Sequence, residues 1–148
     1  MKLTTYTDFG LRTLMYLATL PEGKLTSVAH VSEVYKISRN HLVKVVNQLA
    51  REGYIRAIRG KNGGICLARS PGDINVGQVI RSLETNIKGI DCGSPACYLV
   101  RICRLKDALK QAMDAFLQVM DSYTLADLIG NRDELMVIFS ELEPEKKP

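Results

Sequence analysis

Apolar residues return at helical intervals from the start of the chain: Tyr6, Phe9, Leu14, Leu17 and Leu20 predict a helix over residues 3–20, ended by Pro21 and Gly23. Thr26 is a candidate N-cap for a second helix, TSVAHVSEVYKI, with Val28, Val31 and Val34 or Tyr35 facing inward. After a break at Ile37-Ser38, Ser38 can cap a third helix, RNHLVKVVNQLAREGY, with a buried stripe of Leu42, Val45, Val46 and Leu49. The pattern then shortens. Ile55-Arg56-Ala57-Ile58 and Ile65-Cys66-Leu67-Ala68 read as two short strands, joined by Arg59-Gly60-Lys61-Asn62-Gly63-Gly64, where Asn62-Gly63 favours a turn with positive φ. Asn75 can cap a fourth helix, VGQVIRSLE, with Val76, Val79, Ile80 and Leu83 on one face.

Periodicity lapses over Thr85–Asp91 and resumes after Cys103, where Ile102, Leu105, Leu109, Ala112 or Met113, Phe116 and Met120 trace a stripe at steps of three and four. That stripe runs for about five turns, longer than one small domain can cover, so a dimer seam is its expected use; packing on its own subunit is the bland alternative. Thr124-Leu125-Ala126-Asp127 is a capping-box start for a short last helix, Gly130-Asn131 is a stop, and Glu141 onward reads as charged tail. The expected fold class is mainly α (α+β): a winged helix-turn-helix domain over residues 1–86, a cysteine loop, long dimerisation helix and short last helix over 87–130, and a tail over 131–148.

Opposite its buried stripe the third helix carries Arg39, Asn40, His41, Lys44, Asn47, Gln48 and Arg51. Amide and basic side chains supply the donors and acceptors that base edges and phosphates require, and two short helices joined by a tight turn are the helix-turn-helix signal. A plain solvated polar face is the alternative. The hairpin that follows, tipped by Arg59 and Lys61, is placed as a wing against a phosphate backbone or narrow minor groove. Its Gly-Lys-Asn-Gly-Gly string lacks P-loop spacing and a following helix, so nucleotide binding is rejected.

Charge sharpens this division. The 148-residue chain has a formal net charge of +4. Residues 1–70 hold eleven Lys or Arg against four Asp or Glu, and residues 71–148 hold nine against twelve. The positive half would attract a polyanion. No signal peptide and no run of ~18 apolar residues is visible, so a soluble cytoplasmic protein is expected. An enzyme is not: no Ser-His-Asp or Cys-His constellation occurs, and the two histidines, His30 and His41, fall in the helix-turn-helix.

Three of the four cysteines, Cys92, Cys97 and Cys103, lie within twelve residues at spacing C-x4-C-x5-C. In a reducing compartment such a group more often binds metal or does redox work than forms structural disulfides. Soft thiolates suit an iron–sulfur cluster, then zinc, with redox thiols as the remaining reading. Gly93 and Pro95 put Cys92 and Cys97 on an irregular loop. Cys103 falls at a helix start, where anionic ligands are stabilised. Zinc and iron–sulfur sites usually need a fourth ligand, for which Asp8, a histidine, Cys66, water or a second subunit is available. Asp8 has a plainer reading as an i,i+4 ion pair with Arg12. Cys66, alone on a strand, reads as a small buried hydrophobe.

LTTYTDFGLRTLMYLA at the start, SRNHLVKVVNQL in the third helix, RGKNGGICLA in the wing and VRICRLKDAL after the cysteine loop resemble the winged-helix iron–sulfur regulators that include the NsrR, IscR and RirA types. The resemblance covers nearly all of residues 1–130, and the wing looks most like the nitric-oxide-sensing type. It implies a homodimeric repressor that binds an inverted-repeat DNA operator and carries a [4Fe-4S] cluster, with [2Fe-2S] as the alternative. Cys92, Cys97 and Cys103 match the family's cysteine ligands, and Asp8 matches the carboxylate that completes the nitric-oxide-sensing site from the partner's first helix. IscR-type members place a histidine shortly after the third cysteine; here that stretch is Arg104-Leu105-Lys106-Asp107. The expected function is therefore nitric oxide sensing, with nitrosylation of the cluster weakening operator binding. An iron- or redox-responsive regulator is the runner-up. An iron–sulfur carrier or thiol redox protein, which needs no wing, is the rival from another class.

Overall fold

The computed structural model describes residues 2–144. Its elements run α1 (Thr5–Thr19), α2 (Val28–Tyr35), α3 (Arg39–Arg51), β1 (Ile55–Ile58), β2 (Gly64–Leu67), a 3-10 turn (Pro71–Asp73), α4 (Val76–Leu83), α5 (Arg104–Asp121), α6 (Leu125–Leu128) and α7 (Arg132–Leu142). The expected winged helix-turn-helix, loop and long helix are all present in that order.

The winged helix-turn-helix segment, Thr5–Leu83 (the reading domain, after its expected role), is built round one core. Leu14 and Leu17 of α1, Val31 and Val34 of α2, and Leu42, Val45 and Leu49 of α3 pack with Tyr54, Ile55 and Ile65 from the wing and with Val79 and Leu83 of α4. α1 is small where it meets its neighbours: Thr7, Gly10 and Thr13 lie on its buried face. A Cβ at Gly10 would run into Leu83 and lie 3.3 Å from Val45 Cγ1, so glycine lets α1, α3 and α4 meet there without a gap. The turn between α2 and α3 closes on Lys36, which adopts the left-handed conformation (φ 54°), and on Ile37 N donating to Ser32 O at 2.9 Å.

Two local expectations shift by a residue. Ser27, not Thr26, caps α2, accepting from His30 N at 3.0 Å. Thr26 is unavailable because its N–H and C=O both pair with Ile65, at 3.1 and 2.7 Å, adding an edge to the wing. β1 and β2 are antiparallel, with Ile55 opposite Leu67 and Ile58 opposite Gly64, so β2 starts one residue earlier than expected. A Cβ at Gly63 would strike the carbonyl oxygen of Ile58, which is why the tight turn takes glycine. Cys66 is buried, as its strand position implied.

A larger correction concerns the tail. Residues 132–142, read as part of the tail, form α7. Arg132 donates twice to Thr19 O, at 3.0 and 2.7 Å, and the buried Phe139 stacks edge-on against Tyr16 and Tyr35 with ring centroids 5.1 and 5.7 Å apart. Asp133 and Glu134 in its first turn favour the helix N-terminus. Residues 145–148 of the expected tail lie outside the described residues.

α5 is joined to the reading domain at its C-terminal end. Val76 and Ile80 of α4 enclose Leu117 of α5. Asn75 caps α4 through Gln78 N and donates from its amide to Asp121 O at 2.7 Å. Arg81 grips the Asp121 carboxylate with two N–H groups, one at 2.8 Å. That hydrogen bond, reinforced by the guanidinium's charge, holds the Asp121 carboxyl below the usual carboxylate range and raises Arg81. Thr124 and Asp127 form the expected capping box at the start of α6.

Candidate DNA-reading face and thiol loop

The stripe of Leu42, Val45, Val46 and Leu49 anchors α3 and turns its other side to solvent. Arg39, Asn40, His41, Lys44, Asn47 and Arg51 are all exposed there, as are Arg59 and Lys61 at the tip of the wing. Among the described residues none of these eight side chains makes a hydrogen bond or ion pair, so their donors are free for a ligand. Cationic and amide side chains are therefore exposed both along α3 and at the tip of the hairpin. A surface of that chemistry can neutralise phosphates and reach base edges.

Gln48 departs from the set. Its amide is half-buried and used at both ends: Oε1 accepts from the Tyr6 hydroxyl at 2.7 Å, and Nε2 donates to Ser82 O at 2.6 Å. The sequence could not separate it from Asn47, because both are amides on the polar side of one helix.

Residues 92–103 form an irregular loop, with Cys97 N donating to Cys92 O at 3.0 Å and Gly93 N to Asp91 Oδ1 at 2.8 Å. Cys92, Cys97 and Cys103 are free thiols; Cys97 is exposed and the other two partly so. Cys103 caps α5, its sulfur accepting from Lys106 N at 3.4 Å. Asp8 lies on α1, its carboxylate bound by Arg12 Nε at 2.9 Å with both side chains about half exposed, which is the plain ion-pair reading. Among the described residues no three His, Cys, Asp or Glu side chains gather closely enough to hold a metal ion. The donor chemistry suits a thiolate-bound iron–sulfur group, while one chain does not by itself bring the four candidate ligands together.

The loop and α5 also carry uncovered apolar surface. Tyr98, Leu99, Ile102, Leu105 and Val119 are exposed, whereas Met113 and Leu117 are the buried residues of α5. No helix among the described residues is long and apolar enough to cross a membrane.

Comparison with known proteins agrees with this arrangement. The Rrf2 family, described as "Iron-dependent Transcriptional regulator", matches residues 3–131. Among solved structures, IscR from T. potens superposes with a TM-score of 0.73 at 27% identity, covering 91% of this chain and 90% of its own. CymR, the global cysteine regulator of B. subtilis, superposes at 0.70 with 27% identity, covering 88% of this chain and 98% of its own. S. aureus CymR in an oxidized form gives 0.68 at 29% identity, over 86% of this chain and 95% of its own. With nearly nine-tenths of its length matched and the winged architecture shared, the chain belongs to the Rrf2 family of transcriptional regulators.

Proposed function

We propose that this regulator is a nitric-oxide-responsive repressor that binds an inverted-repeat operator as a homodimer. The observation that carries the reading is the pairing of a free cationic face on α3 and the wing with a loop of three free thiols at the head of α5. In this reading the α3 side chains Arg39, Asn40, His41, Lys44, Asn47 and Arg51 enter the major groove. Arg59 and Lys61 follow the adjacent backbone or minor groove. Two-fold symmetry supplies two such heads, and the exposed apolar edge of α5 with Tyr98, Leu99 and Ile102 is the surface for the second copy.

Cys92, Cys97 and Cys103 would hold a [4Fe-4S] cluster, with Asp8 as the fourth ligand; [2Fe-2S] is the alternative. Bound there, an iron–sulfur cluster supplies iron that combines with nitric oxide. Cys103 presents its thiolate at the α5 N-terminus. Asp8, paired with Arg12 in the single chain, is free to exchange that exposed partner for another, since such surface pairs are worth little.

A second reading, an iron- or thiol-redox-responsive regulator of the same family, is favoured by the exposed Cys97 thiol and by the similarity to an oxidized CymR. Iron and sulfide content, measured on anaerobically purified protein and its Cys92→Ala, Cys97→Ala, Cys103→Ala and Asp8→Ala variants, tests the site. The account expects iron and sulfide in the parent, loss in the cysteine variants, and a weakened, faster-bleaching centre in Asp8→Ala. An Asp8→Ala protein with unchanged cluster lifetime and nitric oxide response would remove Asp8 from the ligand set.

A further inference from the structure

The two segments that bear the candidate ligands enter the reading domain at a single polar node. Glu84, at the C-terminal cap of α4, accepts three hydrogen bonds on Oε2: from Thr4 N at 3.0 Å, Thr4 Oγ1 at 3.0 Å and Thr7 Oγ1 at 2.7 Å. Thr4 caps α1, Thr7 is fully buried, and Asp8 is the next residue. Two residues before Glu84, the carbonyl of Ser82 takes the Gln48 amide of α3; the other end of that amide takes the hydroxyl of Tyr6, with Lys44 O 3.2 Å from the same hydroxyl. Eight residues after Glu84 comes Cys92. One carboxylate and one amide therefore join the start of α1, the end of α4 and the DNA-facing helix. Beside them, Gly10 packs against Leu83 and Val45 with no room for a Cβ, so a shift of α1 or of the end of α4 cannot be absorbed locally.

We infer that Gln48 is a positioning residue rather than a base reader: together with Glu84 it passes the state of the thiol loop and of α1 to the recognition helix. The inference rests on the sensing role proposed above and names how that role reaches the DNA. Held at Oε1 by Tyr6 and at Nε2 by Ser82 O, the half-buried amide keeps one N–H and one lone pair, but it cannot be moved out toward a base edge without breaking the node. A carboxylate accepting three bonds is a strong local tie, since each is charge-assisted. Moving the chain at Glu84 or at Thr4–Thr7 must then move Gln48 with it, or leave half-buried polar groups without partners.

Hydrogen exchange on the metal-free full-length protein tests the node without cluster or DNA. Glu84→Ala, with Glu84→Gln as the milder variant should the first fail to fold, is expected to lower protection at the start of α1 and along α3 together. Changes confined to residues 2–8 and 82–86 would overturn the inference. A second measurement separates positioning from base reading. In Gln48→Ala, the ratio of operator affinities before and after nitric oxide should fall toward one, from a wild-type value on the order of 5- to 150-fold for coupling of this kind. Discrimination against single-base operator changes should stay as in the parent. Relaxed specificity at one base pair with the ratio intact would make Gln48 a reader and overturn the inference. A colourless protein indifferent to nitric oxide would sink the sensing role, and the exchange measurement would still decide the node.

Discussion

The reading domain and the thiol loop are built on opposite principles. Between Thr5 and Leu83 the chain closes on itself: Leu14, Val31, Leu42, Val45 and Leu49 are fully buried, and the helix caps at Thr4, Ser27 and Asn75 each accept from a backbone N–H. Between Asp91 and Ile102 no side chain is buried, and Tyr98 is 101% exposed. The first region finds its partners within the chain, Leu117, Leu125 and Phe139 of the later helices included. The other holds free thiols and exposed apolar side chains, which the proposed function assigns to a cofactor and a second copy. Stability therefore resides in the first region, and the second is the less self-sufficient part of the fold, the kind from which segments that switch are drawn.

The contrast is easiest to break with paired truncations. Leu49→Ala should cost about 2–5 kcal/mol in chemical denaturation, as for a large side chain removed from a closed core. At dilutions where the protein is monomeric, Tyr98→Ala should change stability by less than about 0.5 kcal/mol, because the single chain gives the ring nothing to pack on. A large cost at Tyr98 would mean that the loop is a packed element.

Next in size is the effect on DNA binding. Lys44→Ala should weaken operator binding and lower the slope of log affinity against log salt by ~0.9 if Lys44 neutralises one phosphate. A slope that does not change with Lys44→Ala or Arg59→Ala would take those residues off the backbone.

Smaller again is the joint between the two regions. Asn75→Ala removes both a cap and a tie to Asp121, and should cost about 1 kcal/mol by thermal denaturation. Asp121 adds a pH signature. Its folded pKa lies below the ordinary 3.8, held there by Arg81, so its contribution is fully present above that value and is lost as the pH falls through the lower folded pKa. The stability gap between the parent and Asp121→Asn should therefore be constant near neutrality and close in acid. A gap that persists through the acid range would show that the charge of Asp121 does not matter to the joint.

What the sequence made legible follows the same line. The helix-turn-helix, the wing, the Asn75 cap and the Thr124 capping box rest on local patterns, and the structure has them with element ends shifted by at most three residues. α7 was not legible, because Leu135-Met136-Val137-Ile138-Phe139 is a continuous apolar run without helical spacing, and its anchors Tyr16, Tyr35 and Thr19 are more than ninety residues away in the chain. The bonds of Gln48 to Tyr6 and Ser82 were not legible, because residue type alone cannot say which groups an amide on α3 meets. The three cysteines are legible as an exposed cluster of free thiols on a loop, but no local pattern says which groups, if any, complete a site with them.

The central claim is that the exposed loop governs the closed head. It is tested most directly by titrating nitric oxide into the anaerobic protein bound to a labelled operator, selected from a random inverted-repeat library, while visible absorbance and fluorescence anisotropy are followed in one cuvette. The account predicts that cluster absorbance and operator binding fall in step. Absorbance that bleaches while the operator stays bound would contradict it.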